Sequence, residues 1–273
     1  MLIATIYALV AAVLHAGWNL AAKKAFDPFL TLWGQFIVAG AGSAVVLGII
    51  GSPPVGAWGW AALSGLIHVP YILGLAWAYR HGDFSLAYPV ARGGGALVAA
   101  IGGLLLLDDE LSVLAIVAIL LIFAGMSLLA LGAPATQVMI AIGVAVAIGS
   151  YTVVDSHAAR EYGGVSYVFA AFVTIGVCIT VAGVAGGRSR DLFAMGRDMW
   201  ARAALAATMS VITYGLVLLA VQRAPVGYVT ALRESSVLIA SVVGWRMLHE
   251  GRGRARTMAG GVIVAGLVLL VSS

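Results

Sequence analysis

Five ionisable side chains inside long apolar segments are the residues of this sequence best placed to do chemistry. They are two arginines, two carboxylates and one histidine: Arg92, Arg233, Glu234, Asp155 and His15. A charge surrounded by hydrocarbon is costly, so such residues usually line a substrate or ion pathway and pair with one another. The chemistry they offer is recognition of a charged solute and transfer of protons.

Arg92 follows Tyr88 by four residues, on the same face of a helix, and a run of three glycines begins at Gly93. One interpretation is a guanidinium that binds a carboxylate or phosphonate through two parallel hydrogen bonds. The other is an arginine that pairs with an acid to fix helix packing, or that extends to the membrane interface.

Arg233 and Glu234 are adjacent, so their side chains point about 100° apart on a helix. They cannot both face one narrow cavity, and we expect one of them to pair with a neighbouring helix. Glu234 shares a face with Thr230 and Ser241, which makes it a candidate to bind a substrate ammonium or to carry a coupling proton. A structural Glu–Arg bridge between helices is the alternative.

Asp155 lies four residues after Tyr151, near the end of an apolar segment. We expect it to pair with Arg92 or Arg233, to bind a cation, or to lie at the membrane interface.

The first apolar segment has a polar face made of His15, Trp18 and Asn19. Asn19 is expected to face protein, because an amide facing lipid is costly. His15 is either a hydrogen-bonding packing residue or a proton carrier.

Tyrosines recur at matching places in the two halves of the chain, and a cavity lined by their rings would stack on or hydrogen-bond a substrate. The predicted substrate-binding residues are Arg92, Arg233, Glu234, Tyr88, Tyr71, Trp18, Asn19, Tyr151, Tyr214 and Tyr228. The candidates for proton coupling are Glu234, Asp155 and His15.

The segments that carry these residues have the composition of membrane spans. Of the 273 residues, 62% are hydrophobic and 10% charged, with a mean hydropathy of +1.07. Soluble domains are about 45–50% apolar and about 25% charged, and a bilayer is crossed by about 20 apolar residues. Ten such spans fit the chain, at about 2–22, 29–50, 57–79, 84–107, 111–132, 136–156, 165–185, 199–221, 226–248 and 255–272.

The two halves of the chain share one plan. Shifted by 140 residues, the stretch 86–110 lies on 226–250, which matches Tyr88 with Tyr228 and Glu110 with Glu250. Five spans per half is an odd number, so the halves must have opposite orientations, as in many secondary transporters. The sequence therefore predicts an all-α integral membrane protein of ten helices in two inverted five-helix repeats, residues 1–133 and 134–273.

Loop charge predicts the orientation in the membrane, because basic residues concentrate on the cytoplasmic side. One side has only Arg160 and Arg223, which places both termini outside the cytoplasm. The other side has Lys23, Lys24, Arg80, Arg188, Arg190, Arg197, Arg202, Arg252, Arg254 and Arg256.

Several function classes lack their signals in this sequence. No metal-binding cluster, phosphate-binding loop or Gly-x-Ser-x-Gly nucleophile motif is found, so we expect no enzyme, no metal and no cofactor. The basic residues lie in short loops, which predicts no nucleic-acid partner, and the single cysteine, Cys178, excludes an internal disulfide.

Three segments carry a family resemblance. They are His15-Ala16-Gly17-Trp18-Asn19, the stretch from Ala78 to Gly93 with Tyr88-Pro89-Val90-Ala91-Arg92, and the stretch from Ala224 to Ser236. With ten spans in two halves, the chain resembles the EamA-like transporters of the drug/metabolite transporter superfamily. The resemblance implies a carrier with a central cavity that works by alternating access without ATP, and many relatives export amino acids or other small metabolites. Relatives commonly place both termini in the cytoplasm, the reverse of the loop-charge prediction.

The predicted function is a secondary active transporter, an exporter in the inner cell membrane, for a small polar metabolite. An amino acid or a related zwitterion or anion would suit a site with both arginine and acid, with the lipid bilayer as surroundings and protons as the coupling ion. The alternatives are a multidrug or organic-cation carrier and, from another class, a lipid scramblase or flippase.

Overall fold

The computed structural model describes residues 1–22, 27–81, 84–129, 131–132, 134–236 and 254–273. Within these ranges it describes every side chain except those of residues 16–22, 79, 81, 84–89, 129 and 254–257. All regular structure in the described ranges is helical, as the sequence predicts.

Most helices coincide with the predicted spans to within a few residues. The helices are α1 Leu2–Ala22, α2 Pro28–Ile50, α3 Val55–His81, α4 Phe84–Leu106, α5 Val113–Leu129, α6 Ala135–Tyr162, α7 Gly164–Ala185, α8 Ser189–Phe193, α9 Arg197–Val221, α10 Val226–Arg233 and α11 Arg254–Val271. Two differences stand out: the short α8 lies in a predicted loop, and α10 ends inside the predicted ninth span.

Length and apolar composition confirm an α-helical membrane protein. Five described helices are long and apolar enough to cross a bilayer: α2, α3, α6, α7 and α9. Shorter apolar stretches lie in α1, α4, α5 and α11. The count of ten spans stays a prediction.

Charged and turn residues set the helix ends. Asp27 precedes α2, and its Oδ1 accepts a hydrogen bond of 2.9 Å from the Leu30 N–H, while Pro28 occupies the first helical position. Arg188 binds the other carboxylate oxygen of Asp27 at 2.6 Å. Burial opposes ionisation of Asp27, but the hydrogen bonds from Arg188 and Leu30 outweigh it and lower the pKa of this carboxyl.

The most extensive helix packing joins one predicted repeat to the other. Helix α4 packs on α6, α5 on α11, α2 and α3 on α7, and α1 on α9. The core therefore lies between the predicted halves rather than inside each of them, and a cavity at its centre is lined by both.

Glycine allows the closest of these approaches. At the crossing of α2 and α7, a Cβ atom added to Gly40 would lie 3.1 Å from the carbonyl oxygen of Phe172. A Cβ added to Gly176 would lie 2.7 Å from the carbonyl oxygen of Phe36. Small residues give membrane helices their affinity by letting backbones touch.

Candidate functional site

Helix α10 and the residue that follows it place two predicted site residues, Arg233 and Glu234, in the protein interior. It begins after Pro225, with the Val226 N–H donating to Asp109 Oδ2 at 2.7 Å. It ends at Arg233, where the Glu234 N–H bonds to the Ala231 carbonyl at 3.1 Å. Residues 235 and 236 are helical again, so Glu234 is a one-residue interruption. Membrane helices tolerate such an interruption where it is buried in protein or lines a cavity.

Arg92 and Glu234 form an ion pair between the predicted halves. Arg92 Nη2 donates to Glu234 Oε1 at 2.8 Å, and each side chain is only 4% exposed. Of the two interpretations of Arg92, the structure shows the pairing with an acid on a different helix.

Arg233 has no such partner among the described residues. No carboxylate of the described chain lies within ion-pair distance of it, and its Nε has no hydrogen-bond partner there. The side chain is 6% exposed and lines an internal cavity. The adjacent Arg233 and Glu234 thus do separate, one to a helix contact and one to the cavity.

The cavity has a volume of about 60 Å³, enough for a few water molecules or a small solute. Its walls come from α1, α2, α3, α6, α7, α9 and α10. The lining residues are His15, Leu32, Gln35, Phe36, His68, Tyr71, Ile72, Tyr151, Phe172, Ile175, Ser210, Thr213, Tyr214 and Arg233.

Aromatic rings form much of the wall and contact one another. The rings of His68 and Tyr151 are 4.1 Å apart between centroids, and Tyr151 lies 5.6 Å from Tyr71 and 6.2 Å from Tyr214. Pro70 lies inside α3 between His68 and Tyr71, where it removes a backbone hydrogen bond. Ring-to-ring packing of this kind holds the wall in shape.

Unsatisfied polar atoms occur in the same wall. Gln35 donates from Nε2 to Ser210 Oγ at 2.7 Å. Within the described chain, Gln35 Oε1 and Thr213 Oγ1 have no hydrogen-bond partner, although both residues are buried. Because buried polar atoms are nearly always paired, these two are available to a ligand or to water.

Asp155 lies behind the cavity wall, fully buried. Its Oδ1 accepts from the Tyr167 hydroxyl at 2.6 Å, and its Oδ2 accepts from the Ser64 hydroxyl at 2.9 Å and from the Tyr214 hydroxyl. These partners lie on α7, α3 and α9. Asp155 is therefore held by hydroxyl groups, and in this structure it forms no ion pair with Arg92 or Arg233.

The remaining predicted residues divide into three groups. His15, Tyr71, Tyr151 and Tyr214 line the cavity. Tyr228 instead forms a 2.8 Å hydrogen bond with Thr5, away from the cavity lining. The side chains of Trp18, Asn19 and Tyr88 lie outside the described residues.

The predicted site residues omit four polar residues of the wall: Gln35, His68, Ser210 and Thr213. A signal for Gln35 was present, since an amide inside a span is costly unless it faces protein. Ser210 and Thr213 carry a weaker signal, because small hydroxyl residues also bond to their own helix backbone.

Known proteins resemble this chain in sequence family and in fold. A sequence model described as the EamA-like transporter family matches residues 135–272. No curated protein matches the chain. One solved crystal structure, described simply as that of a protein, is 19% identical, with a TM-score of 0.75 over 98% of this chain and 97% of that one. At that identity the likeness shows the fold alone.

Proposed function

This chain belongs to the EamA-like transporter family, and from that premise we propose that it exports a small polar metabolite bearing a negatively charged group. The family makes it a membrane transporter of the drug/metabolite transporter type. The substrate class and the mechanism are our proposal, and neither requires catalysis.

Arg233 is the observation that carries the proposal. It is a buried guanidinium on the cavity wall with no carboxylate of the described residues within ion-pair distance. An uncompensated charge in such a place is costly, and an anionic ligand would relieve that cost. A carboxylate also matches the fork of guanidinium donors in two parallel hydrogen bonds.

The other carboxylates favour an anion over an organic cation. Glu234 is neutralised by Arg92, and Asp155 is surrounded by hydroxyl donors behind the wall. Neither offers a free negative charge to a cation in the cavity. The ammonium of a zwitterion such as an amino acid could instead face the tyrosine rings, which attract cations through their π faces.

Cavity size favours a small solute over a drug. The volume of about 60 Å³ is well below the roughly 300–1,000 Å³ of sites for drug-sized ligands. The polar side chains of the cavity belong to buried residues such as Gln35, Ser210 and Thr213, which likewise favours a carrier of soluble molecules over a scramblase with a lipid-facing groove.

Alternating access follows from the proposed architecture. If residues 1–133 and 134–273 are inverted repeats, rocking one against the other would expose a central site to each side in turn. The packing of each predicted half mainly against the other supports this, because the cavity then lies at the moving interface.

Ligand-dependent thermal stability of the purified protein tests the proposal. We expect acetate, glycine or L-lactate to raise the melting temperature, since a ligand present at about 100 times its Kd stabilises by about 2.7 kcal/mol. Arg233→Gln should abolish that shift, and the exposed Arg223→Gln should retain it. Stabilisation by tetraethylammonium that survives Arg233→Gln would favour the organic-cation alternative.

A further inference from the structure

We propose that Asp155 takes up a proton when an anion binds beside Arg233, so that the anion and the proton occupy the protein together. The inference rests on the proposed function, because it needs an anion in the cavity. It also selects Asp155 from the three candidates for proton coupling, Glu234, Asp155 and His15.

Charge balance among the described residues is the first argument. Arg92 and Glu234 cancel each other at 2.8 Å. That leaves one buried cation, Arg233, and one buried carboxylate, Asp155, neither of which is in an ion pair among the described residues. When an anion neutralises Arg233, the negative charge of Asp155 has no counterpart left, and interactions between charges are strong where water is excluded. Protonation of Asp155 restores neutrality.

Connection to the cavity is the second argument. Tyr214 lines the cavity, and its hydroxyl also donates to Asp155 Oδ2. A proton can therefore reach the carboxyl without a rearrangement of helices. The Tyr214 hydroxyl passes its proton to Oδ2 and is reprotonated from the cavity, so the phenol is unchanged and the carboxyl gains one proton.

Protein groups facing Asp155 come from each helix packed around it. Ser64 and Tyr167 donate to it from α3 and α7, as Tyr214 does from α9. Tyr151 lies one turn earlier on α6 itself. The charged residues on the remaining neighbours, α4 and α10, are Arg92 and Arg233.

Protonation of a histidine in the cavity, rather than of Asp155, would also make anion binding depend on pH, and the experiment must distinguish the two. His15 and His68 line the same cavity, and a protonated imidazole would also strengthen anion binding in acid. The His68 ring is anchored, with its Nδ1 at 2.8 Å from the Ser64 carbonyl oxygen. Both histidines therefore need variants of their own.

Calorimetric titration of acetate, glycine and L-lactate into purified protein tests the inference. Between about pH 5 and about pH 8, we expect the affinity to fall by up to about tenfold per pH unit as pH rises, as one-proton linkage requires. Titration in two buffers of different ionisation enthalpy should show uptake of about one proton per anion. Asp155→Asn, a mimic of the protonated carboxyl, should bind with pH-independent affinity and no proton uptake.

The controls are histidine variants. His157→Gln, half-exposed on the same helix as Asp155 and outside the cavity lining, should leave the pH dependence unchanged. His15→Gln and His68→Gln should also retain it, whatever they do to the affinity itself. Loss of the pH dependence in either cavity variant, with its survival in Asp155→Asn, would overturn the inference.

Infrared difference spectra of the wild-type protein keep the inference testable if Asp155→Asn does not fold. Anion binding should produce the carbonyl stretch of a protonated carboxyl, and isotope-labelled aspartate should shift that band. Binding without this band, or without proton uptake, overturns the inference and leaves the proposed function standing. If none of the three carboxylates binds to wild-type protein, the proposed function itself fails.

Discussion

At the scale of single residues, the ion pair of Arg92 with Glu234 affects both helix packing and the charge of the cavity. It joins α4 to the end of α10 across the predicted halves, at 2.8 Å and almost fully buried. It also removes Glu234 as a partner for its neighbour Arg233, whose charge is then directed to the cavity. A single interaction therefore supports both the packing and the selectivity that we propose.

Breaking one side of this pair should be more damaging than removing both. Arg92→Gln leaves Glu234 charged and buried, and we expect it to lower the free energy of unfolding by about 3–5 kcal/mol. The double variant Arg92→Met with Glu234→Leu should recover much of that loss, because neither member of the pair is then left charged without its partner. Thermal unfolding in detergent measures both, and additive losses in the double variant would contradict the expected coupling.

Sequence identified the charged residues of the site but not their partners. Arg92, Arg233, Glu234 and Asp155 are conspicuous because ionisable residues are rare in apolar segments. The partners of Asp155, however, are hydroxyls 12, 59 and 91 residues away in the chain. Their convergence depends on how three helices pack, and serine and tyrosine are too common in membrane helices to indicate it.

At the scale of helices, the contact of α2 with α7 depends on glycine. A Cβ atom at Gly40 would lie 3.1 Å from the Phe172 carbonyl oxygen, whereas one at Gly42, half a turn further along the same helix, meets nothing within 4 Å. These two glycines therefore form a matched pair for substitution.

Gly40→Ala should force α2 and α7 apart and lower the free energy of unfolding by about 1–3 kcal/mol, the usual cost of overpacking. Gly42→Ala should be neutral or stabilising by up to about 1 kcal/mol, because alanine has the higher helix propensity. Melting temperatures in detergent measure the difference. Equal effects of the two substitutions would show that backbone contact between these helices contributes nothing.

The positions of most helices were predictable from the sequence, whereas the end of α10 at Arg233 was not. Hydropathy located the helices because length and apolar composition decide them. The end of α10 at Arg233 was not predicted, since no proline or glycine marks it. The interruption is a single turn residue, Glu234, whose side chain pairs with Arg92, and residues 235 and 236 are helical again.

At the scale of the whole molecule, the predicted halves are held together at the end of the protein formed by the α4–α5 loop. Arg160 Nη2 binds Asp109 Oδ1 at 2.7 Å, and Arg160 Nε donates to the Val221 carbonyl at 2.8 Å. Asp109 Oδ2 accepts from the Val226 N–H at the start of α10. One carboxylate of the first half thus ties together the ends of α6 and α10 from the second. The repeat boundary and the orientation in the membrane stay predictions.

If the halves rock to alternate access, this tie must break in every cycle, and weakening it should open this end more often. Asp109→Asn removes the charge that holds Arg160 while leaving a side chain of the same shape.

The accessibility of a cysteine at this end measures the opening. We expect maleimide to label Ala224→Cys faster in the Asp109→Asn variant, in a background where the only native cysteine is removed by Cys178→Ser. Ala224 is suited to this because it is 7% exposed and its carbonyl accepts from Arg160 at 3.3 Å. Asp198→Asn, exposed in the first turn of α9, removes a carboxylate outside the tie and should leave the labelling rate unchanged. Equal rates with aspartate and asparagine at position 109 would mean that the bridge is not part of the moving interface.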